Sequence, residues 1–242
     1  MEYPKIHSLW KRNGWYFEEG KKQSPKYQDG RQSFIVGDYA VPEFENIKKW
    51  LVQEKIDGTN IRVYYNEIPR MSELDWGKRM QKIGFIHNVE FKGRTENSDM
   101  PSKLLSYLNK TFLPEKMTEV FPNTEIKTVI LFGEGYGATI QKGGGNYRKD
   151  VGFILFDVKV GDWWLQQSAV KDVAEKLGIA YAPIIGVMTE ETIVDYVKSK
   201  PLSLCSEDDQ VMEGVIARAE PLLLLRNGDP LMFKLKCREF PE

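Results

Sequence analysis

Lys55 closes a strand-like run, Trp50–Lys55; an Asp57-Gly58 turn follows, and a second strand begins at Asn60. A hairpin of this kind holds an amine at the rim of a sheet. Lysine becomes a covalent nucleophile when desolvation or neighbouring cations lower its pKa. Such cations stand near the other end of the chain, in Phe233-Lys234-Leu235-Lys236-Cys237. Strand alternation puts Lys234 and Lys236 on one face and Phe233, Leu235 and Cys237 on the other. Two ammonium groups about 7 Å apart form a clamp for a polyphosphate and would depress the pKa of a neighbouring Lys55. Each segment also has a plainer reading: an exposed lysine beside an ordinary turn, and a solvated strand face.

Three acids sit in or beside apolar strands. Glu134 follows Val129–Gly133, Asp157 follows Phe153–Phe156, and Glu213 opens Glu213–Arg218. A carboxylate in such a setting needs a partner, a metal or an edge position. Carboxylates facing a polyphosphate hold Mg²⁺ naturally. Gly133, Gly135, Gly137, Gly143, Gly144 and Gly145 cluster nearby, with Gln141, Lys142, Tyr147, Arg148 and Lys149 among or after them. Close backbone approach, cations and a tyrosine suit a phosphate backbone and a base. A surface loop is the plainer alternative. The spacing is not that of a P-loop.

These residues need a scaffold. Strand signals mark Ser33–Tyr39, Asn60–Tyr65, Ile83–Lys92, Thr128–Glu134, Gly152–Val160, Glu213–Ala219 and Leu231–Cys237. Helical periodicity marks Ser102–Phe112, Ser168–Leu177 and Glu190–Ser199, with Ser168 placed as an N-cap and Gly178 as a stop. The fold class expected is α+β. The chain has no repeat and no linker-like stretch, so residues 1–242 read as one domain, with 1–31 an N-terminal arm or flap carrying Trp15, Tyr16 and Phe17.

The 242 residues carry 34 Lys plus Arg against 35 Asp plus Glu, a net charge of −1. That balance excludes nucleic-acid binding over the whole surface but not a local basic patch. Two cysteines and two histidines leave little for a disulfide framework, a thiolate zinc site or a His-based triad. No apolar run approaches membrane-spanning length and Met1–Lys11 has no signal-like core, so the expectation is a cytoplasmic protein without membrane contact. Charge is uneven, +3 over residues 1–31 and −4 over 189–209, and the overall charge leads us to expect weak, salt-sensitive binding of any polyanion.

In their order along the chain, Lys55–Gly58, Phe132–Gly135, Gly152–Asp157, Glu213–Ile216 and Lys234–Lys236 resemble the successive motifs of the covalent nucleotidyltransferases, the polynucleotide ligases and RNA capping enzymes. The resemblance covers about Glu54–Cys237. Glu54–Asn60 fits the first motif of RNA ligases, Glu-Lys-x-(Asp/His)-Gly-Thr-Asn, where DNA ligases and capping enzymes usually place Arg at the last position. Phe91-Lys92-Gly93-Arg94-Thr95 resembles the RNA-ligase segment that supplies an arginine.

The resemblance implies two antiparallel sheets flanked by helices with a nucleotide pocket between them. It implies an ATP-dependent RNA ligase joining 3′-OH and 5′-phosphate ends through lysyl-AMP and adenylylated RNA, with Mg²⁺ or Mn²⁺. In that reading Lys55 attacks the α-phosphorus. Glu213, Lys234 and Lys236 complete the catalytic set, with the two lysines on the phosphate. Glu54, Ile56, Asn60, Arg94, Glu134 and Phe156 line the nucleotide. Phe156, and after it Phe153, stacks on adenine, and Glu134 and Glu213 place the metal. Partners would be nicked or broken RNA ends, RNA/DNA hybrids, and a protein that supplies RNA grip. Six residues follow Lys236, as in minimal RNA ligases without a C-terminal domain, so the arm and Gln141–Lys149 become candidates for RNA contact. Alternatives are a minimal DNA or mixed nick ligase, and a non-catalytic nucleic-acid-binding protein on the same fold.

Overall fold

A computed structural model describes residues 1–12, 16–18, 21–23, 34–73, 80–95, 99–122 and 128–240. The backbone separates into two compact units, one of Met1–Tyr3 with Gly58–Tyr181 and one of Pro4–Asp57 with Ala182–Glu242. Each has its own sheet and core. Each unit is discontinuous in sequence, and the chain passes from one to the other at peptides such as Asp57-Gly58.

The unit containing Gly58–Tyr181 is built on strands Trp163–Trp164, Val151–Val160, Thr128–Gly137, Thr59–Glu73 and Met80–Lys92, in that order, with Ala180–Tyr181 pairing parallel to Val151–Val160. Period-two alternation sends Ile61, Val63 and Tyr65 into a core with Leu131, Phe153, Leu155 and Val158. Helices Ser102–Thr111 and Gln167–Leu177 close that core with Leu104, Leu108, Val170, Val173, Ala174 and Leu177. Each large apolar side chain buried this way contributes about 1.5–3 kcal/mol. Gly178, in the left-handed region, ends the second helix as expected. Its N-cap is Gln166 rather than Ser168, and the helix begins at Gln167. The short helix Pro114–Val120 escaped the periodicity reading because it spans only seven residues.

The unit containing Trp50–Lys55 has strands in the order His7–Ser8, Met232–Lys236, Gly214–Ala219, Trp50–Lys55 and Ile184–Met188. Trp50, Val52, Val215, Ala217, Phe233 and Leu235 point into one core, which helix Glu190–Lys198 closes with Ile193, Val194 and Val197. Thr189 caps that helix by accepting from the Thr192 N–H at 3.4 Å. In the arm, Tyr16–Glu18 and Lys21–Gln23 pair antiparallel. Trp15, Gly14, Gly20 and Gly30 lie outside the described residues. Among the described residues no helix is long and apolar enough to cross a membrane.

Candidate active site

In the second unit, strand register brings the lysines together. Gly214 on the central strand pairs with Lys55 on one side and Lys236 on the other. A Cβ on Gly214 would lie 2.1 Å from the Leu235 carbonyl oxygen, so the close approach of these strands requires glycine there. The central strand thus offers no side chain between the two amines. Glu213, immediately before it, bridges both: Lys55 Nζ donates to Oε2, and Lys236 Nζ lies 2.6 Å from Oε1. Burial alone would raise the Glu213 pKa, but Lys55 and Lys236 outweigh it and hold the carboxyl below its ordinary range. The sequence reading surrounded Lys55 with cations alone. The structure places a carboxylate between it and Lys236.

Lys234 lies two residues from Lys236 on the same strand, in register with Ile216 and Ser8. Its charge, after burial and Lys5, helps lower the His7 pKa. Asp57 was read as a turn former only. Burial raises its pKa first and the Glu213 charge second, against Lys55, Lys236 and Arg238. The Ile56 side chain is buried, and its carbonyl accepts from Lys55 Nζ at 3.5 Å.

Glu54 alternates to the opposite face of its strand from Lys55. Its carboxylate accepts from the Leu204 N–H at 2.7 Å and from Ser203 Oγ, and it is 2% exposed. The Glu54 side chain therefore anchors the 203–205 loop. The nucleotide role implied by the resemblance could fall only to its backbone.

In the first unit, the sheet face away from the helices carries Asn60, Arg62 and Tyr64. Phe132 is paired with Arg62 in register, and Glu134 with both Asn60 and Ile154. Gly58, the last residue of the Lys-Ile-Asp-Gly motif, has no room for a side chain: a Cβ would sit 2.3 Å from the Gly135 carbonyl oxygen and 2.8 Å from Glu134 Cγ. Gln141 Nε2 donates to the Gly58 carbonyl at 2.9 Å. The glycine-rich segment thus folds back onto the motif.

Phe156 reaches this face by strand alternation and stands at a β-bulge. The pairing runs Leu155 to Gly133 and then Asp157 to Phe132, leaving Phe156 as the extra residue. Phe153 and Leu155 enter the helix-covered core, so alternation points Phe156 away from it, and after the bulge Val158 rather than Asp157 returns to that core. Phe153 is 1% exposed, edge-on to Phe112 at 5.3 Å between ring centres. It has no free face for a base, so of the two stacking candidates only Phe156, half-buried, remains.

Arg94 is exposed just beyond the strand Met80–Lys92. The sequence reading missed its support. Arg62, fully buried, donates from Nε and Nη2 to the Gly93 carbonyl at 2.9 and 2.7 Å, and from Nη1 to the Met1 carbonyl at 2.6 Å. The available signal was an arginine at an interior position of the alternating strand. Tyr147, read as a base platform, is 4% exposed and packed edge-on against Tyr136, so it cannot stack on RNA. Lys142 and Lys149 of that segment are exposed.

The donors present fit a divalent cation that travels with a nucleotide. Among the described residues, no three His, Cys, Asp or Glu side chains group as a resident metal site would. Asn60 Oδ1, however, is a buried acceptor without a hydrogen-bond partner, directly across the ladder from Glu134. Such hard oxygens, completed by phosphates and water, suit Mg²⁺ or Mn²⁺.

No curated protein matches the sequence. Solved structures do match the fold. The RNA ligase of Naegleria gruberi with pyrophosphate superposes with a TM-score of 0.52 at 19% identity, over 79% of this chain and 50% of that one. A variant of the same ligase solved with ATP and Mn gives 0.54 at 18% identity, over 98% of this chain and 61% of that one. The chain thus spans about half to three-fifths of the length of these structures, and the likeness establishes the nucleotidyltransferase fold of RNA ligases. The RNA ligase family model matches residues 48–236, a segment running from just before the Trp50–Lys55 strand to Lys236. By that match, the chain belongs to the RNA ligase family.

Proposed function

We propose that this chain is an ATP-dependent RNA ligase that joins 3′-OH and 5′-phosphate ends through lysyl-AMP and adenylylated RNA. The observation that carries the proposal is the convergence of Lys55 and Lys236 on one carboxylate beside a bare Gly214. Family membership supports it, as do the ATP and Mn complexes of the Naegleria ligase.

In the first step Lys55 Nζ, having lost its proton, attacks the α-phosphorus of ATP. The N–P bond forms as the bond to pyrophosphate breaks. Lys234 and Lys236 hold α-phosphate oxygens and offset the charge that grows there. A divalent cation held by the phosphates, Glu134 and the Asn60 amide oxygen would neutralise further charge. Glu213, which bridges the two lysines, fixes the Lys55 chain at the end of its strand and Lys236 beside it. Phe156 offers a face to adenine, and Arg94 an exposed guanidinium to phosphate. An oxygen of the RNA 5′-phosphate then attacks the adenylyl phosphorus as the N–P bond breaks and frees Lys55, and an RNA 3′-hydroxyl attacks that activated end and expels AMP. The chemistry asks mainly for positioning, which fixed strands supply.

The test is sealing of nicked duplexes by the intact chain with ATP and Mg²⁺. We expect sealing when RNA supplies the 3′-OH and little or none on all-DNA nicks. Equal sealing of all-DNA nicks would replace the RNA-ligase reading with a general nick ligase. Added salt should weaken substrate binding steeply, since the net charge of −1 leaves only local basic patches to hold RNA.

A further inference from the structure

We propose that Tyr3 is a positioning residue for the nucleotide base, acting through Phe156 and Asp157. The inference rests on the functional reading above and adds to it a residue outside the RNA-ligase family match, which begins at residue 48.

Tyr3 belongs to the unit built on Gly58–Tyr181, although it precedes that unit's main segment by more than fifty residues. Its ring lies 5.0 Å from Phe132 and 5.1 Å, edge-on, from Phe156, measured between centres. Trp164 packs edge-on against it at 6.1 Å. Edge-to-face packing of this kind fixes the plane of each ring. The Tyr3 hydroxyl donates to Asp157 Oδ2.

Asp157 is 2% exposed, and its other oxygen accepts from Gln167 Nε2 at 2.9 Å. The same amide nitrogen reaches the Phe156 carbonyl at 3.2 Å, and Tyr181 donates to Gln167 Oε1 at 2.7 Å. Tyr3, Asp157, Gln167 and Tyr181 thus form one chain of hydrogen bonds around the bulged residue. A bulge has lost part of its ladder, so contacts beyond the ladder must set where Phe156 points. Tyr3 supplies both kinds, a ring against Phe156 and a charge-assisted hydrogen bond to the next residue. The Arg62 bond to the Met1 carbonyl ties down the same tripeptide.

The experiment measures lysyl-AMP formation by the full chain against ATP concentration, by intact mass. Tyr3→Ala should raise KM for ATP about tenfold while kcat stays within about twofold, because base placement is lost and the phosphate chemistry is kept. Tyr3→Phe keeps the ring contacts and should restore KM to within about threefold of the parent. Without nucleotide, hydrogen exchange at Leu155–Val158 should quicken in Tyr3→Ala. No adduct on the parent chain overturns the functional reading itself. An adduct with KM unchanged in Tyr3→Ala, or exchange unchanged there, overturns only the role of Tyr3.

Discussion

Lys55 and Phe156 sit in different units and reach their places by different physical routes. Lys55 and Lys236 meet because both pair with Gly214, and the strict period of two in each strand sends their side chains to one face. Phe156 keeps the same alternation, facing away from the core that holds Phe153 and Leu155, but it is the residue that a bulge leaves without a ladder partner. Regular register concentrates charge in one unit. In the other, the outward aromatic stands where the ladder is interrupted. Side chains on fully paired strands need little outside help, whereas one on an unpaired residue depends on its neighbours.

Substitutions should separate the two routes. The largest effect is expected at Lys236→Ala. Removing a fixed cation from the transferring phosphate should slow adenylylation by about 10²–10³ with thermal stability nearly kept. A rate close to the parent would show that the Gly214 register does not build the catalytic site. Next comes the bulge itself. Phe153→Ala should cost about 3–5 kcal/mol of stability in denaturant unfolding, since that ring fills the core. Phe156→Ala should cost far less stability and instead raise KM for ATP. Similar stability losses for the two rings would mean that the two faces of this strand do not separate their roles.

A third contrast lies within one strand. Glu54→Gln should lower stability by about 1–3 kcal/mol, because a buried carboxylate acceptor of the 203–205 loop becomes a poorer one. Adenylylation by the folded protein should change little, in contrast to neighbouring Lys55.

The smallest effect is in acid. Glu213 is held below its ordinary value near 4.5 and therefore contributes stability above that pH, which disappears as pH falls through its folded value. Asp57 is raised above 3.8 and acts in the opposite sense, favouring the fold at low pH and losing that contribution as pH rises through its folded value. Glu213→Gln should therefore flatten the stability loss below pH 4.5, and Asp57→Asn should steepen it. The reverse pair of slopes would contradict the assignment of the two carboxyls.

The strand Trp50–Lys55, the alternation of Lys234 with Leu235 and the amphipathic helix ending at Gly178 were legible because each depends on local periodicity. Ser168 failed as a cap because the cap lies two residues earlier, at Gln166, and the helix starts at Gln167, whose side chain reaches Asp157. Tyr147 looked exposed in a glycine-rich run, yet it packs on Tyr136, a contact no local pattern announces. Arg62 and Gly93 are joined across 31 residues, and Tyr3 and Asp157 across 154. The division into two units was hidden for the same reason, as each is assembled from distant segments. Chemistry set by residue type and spacing could be read, while chemistry set by long-range support could not.

The central claim is that Lys55 carries the nucleotide. Incubation of the full chain with ATP and Mg²⁺, followed by intact mass and peptide mapping, tests it most directly. The account predicts one added AMP, mapped to the peptide containing Lys55 and absent in Lys55→Ala. An adduct that persists in Lys55→Ala, or no adduct on the parent chain under any divalent cation, would contradict it.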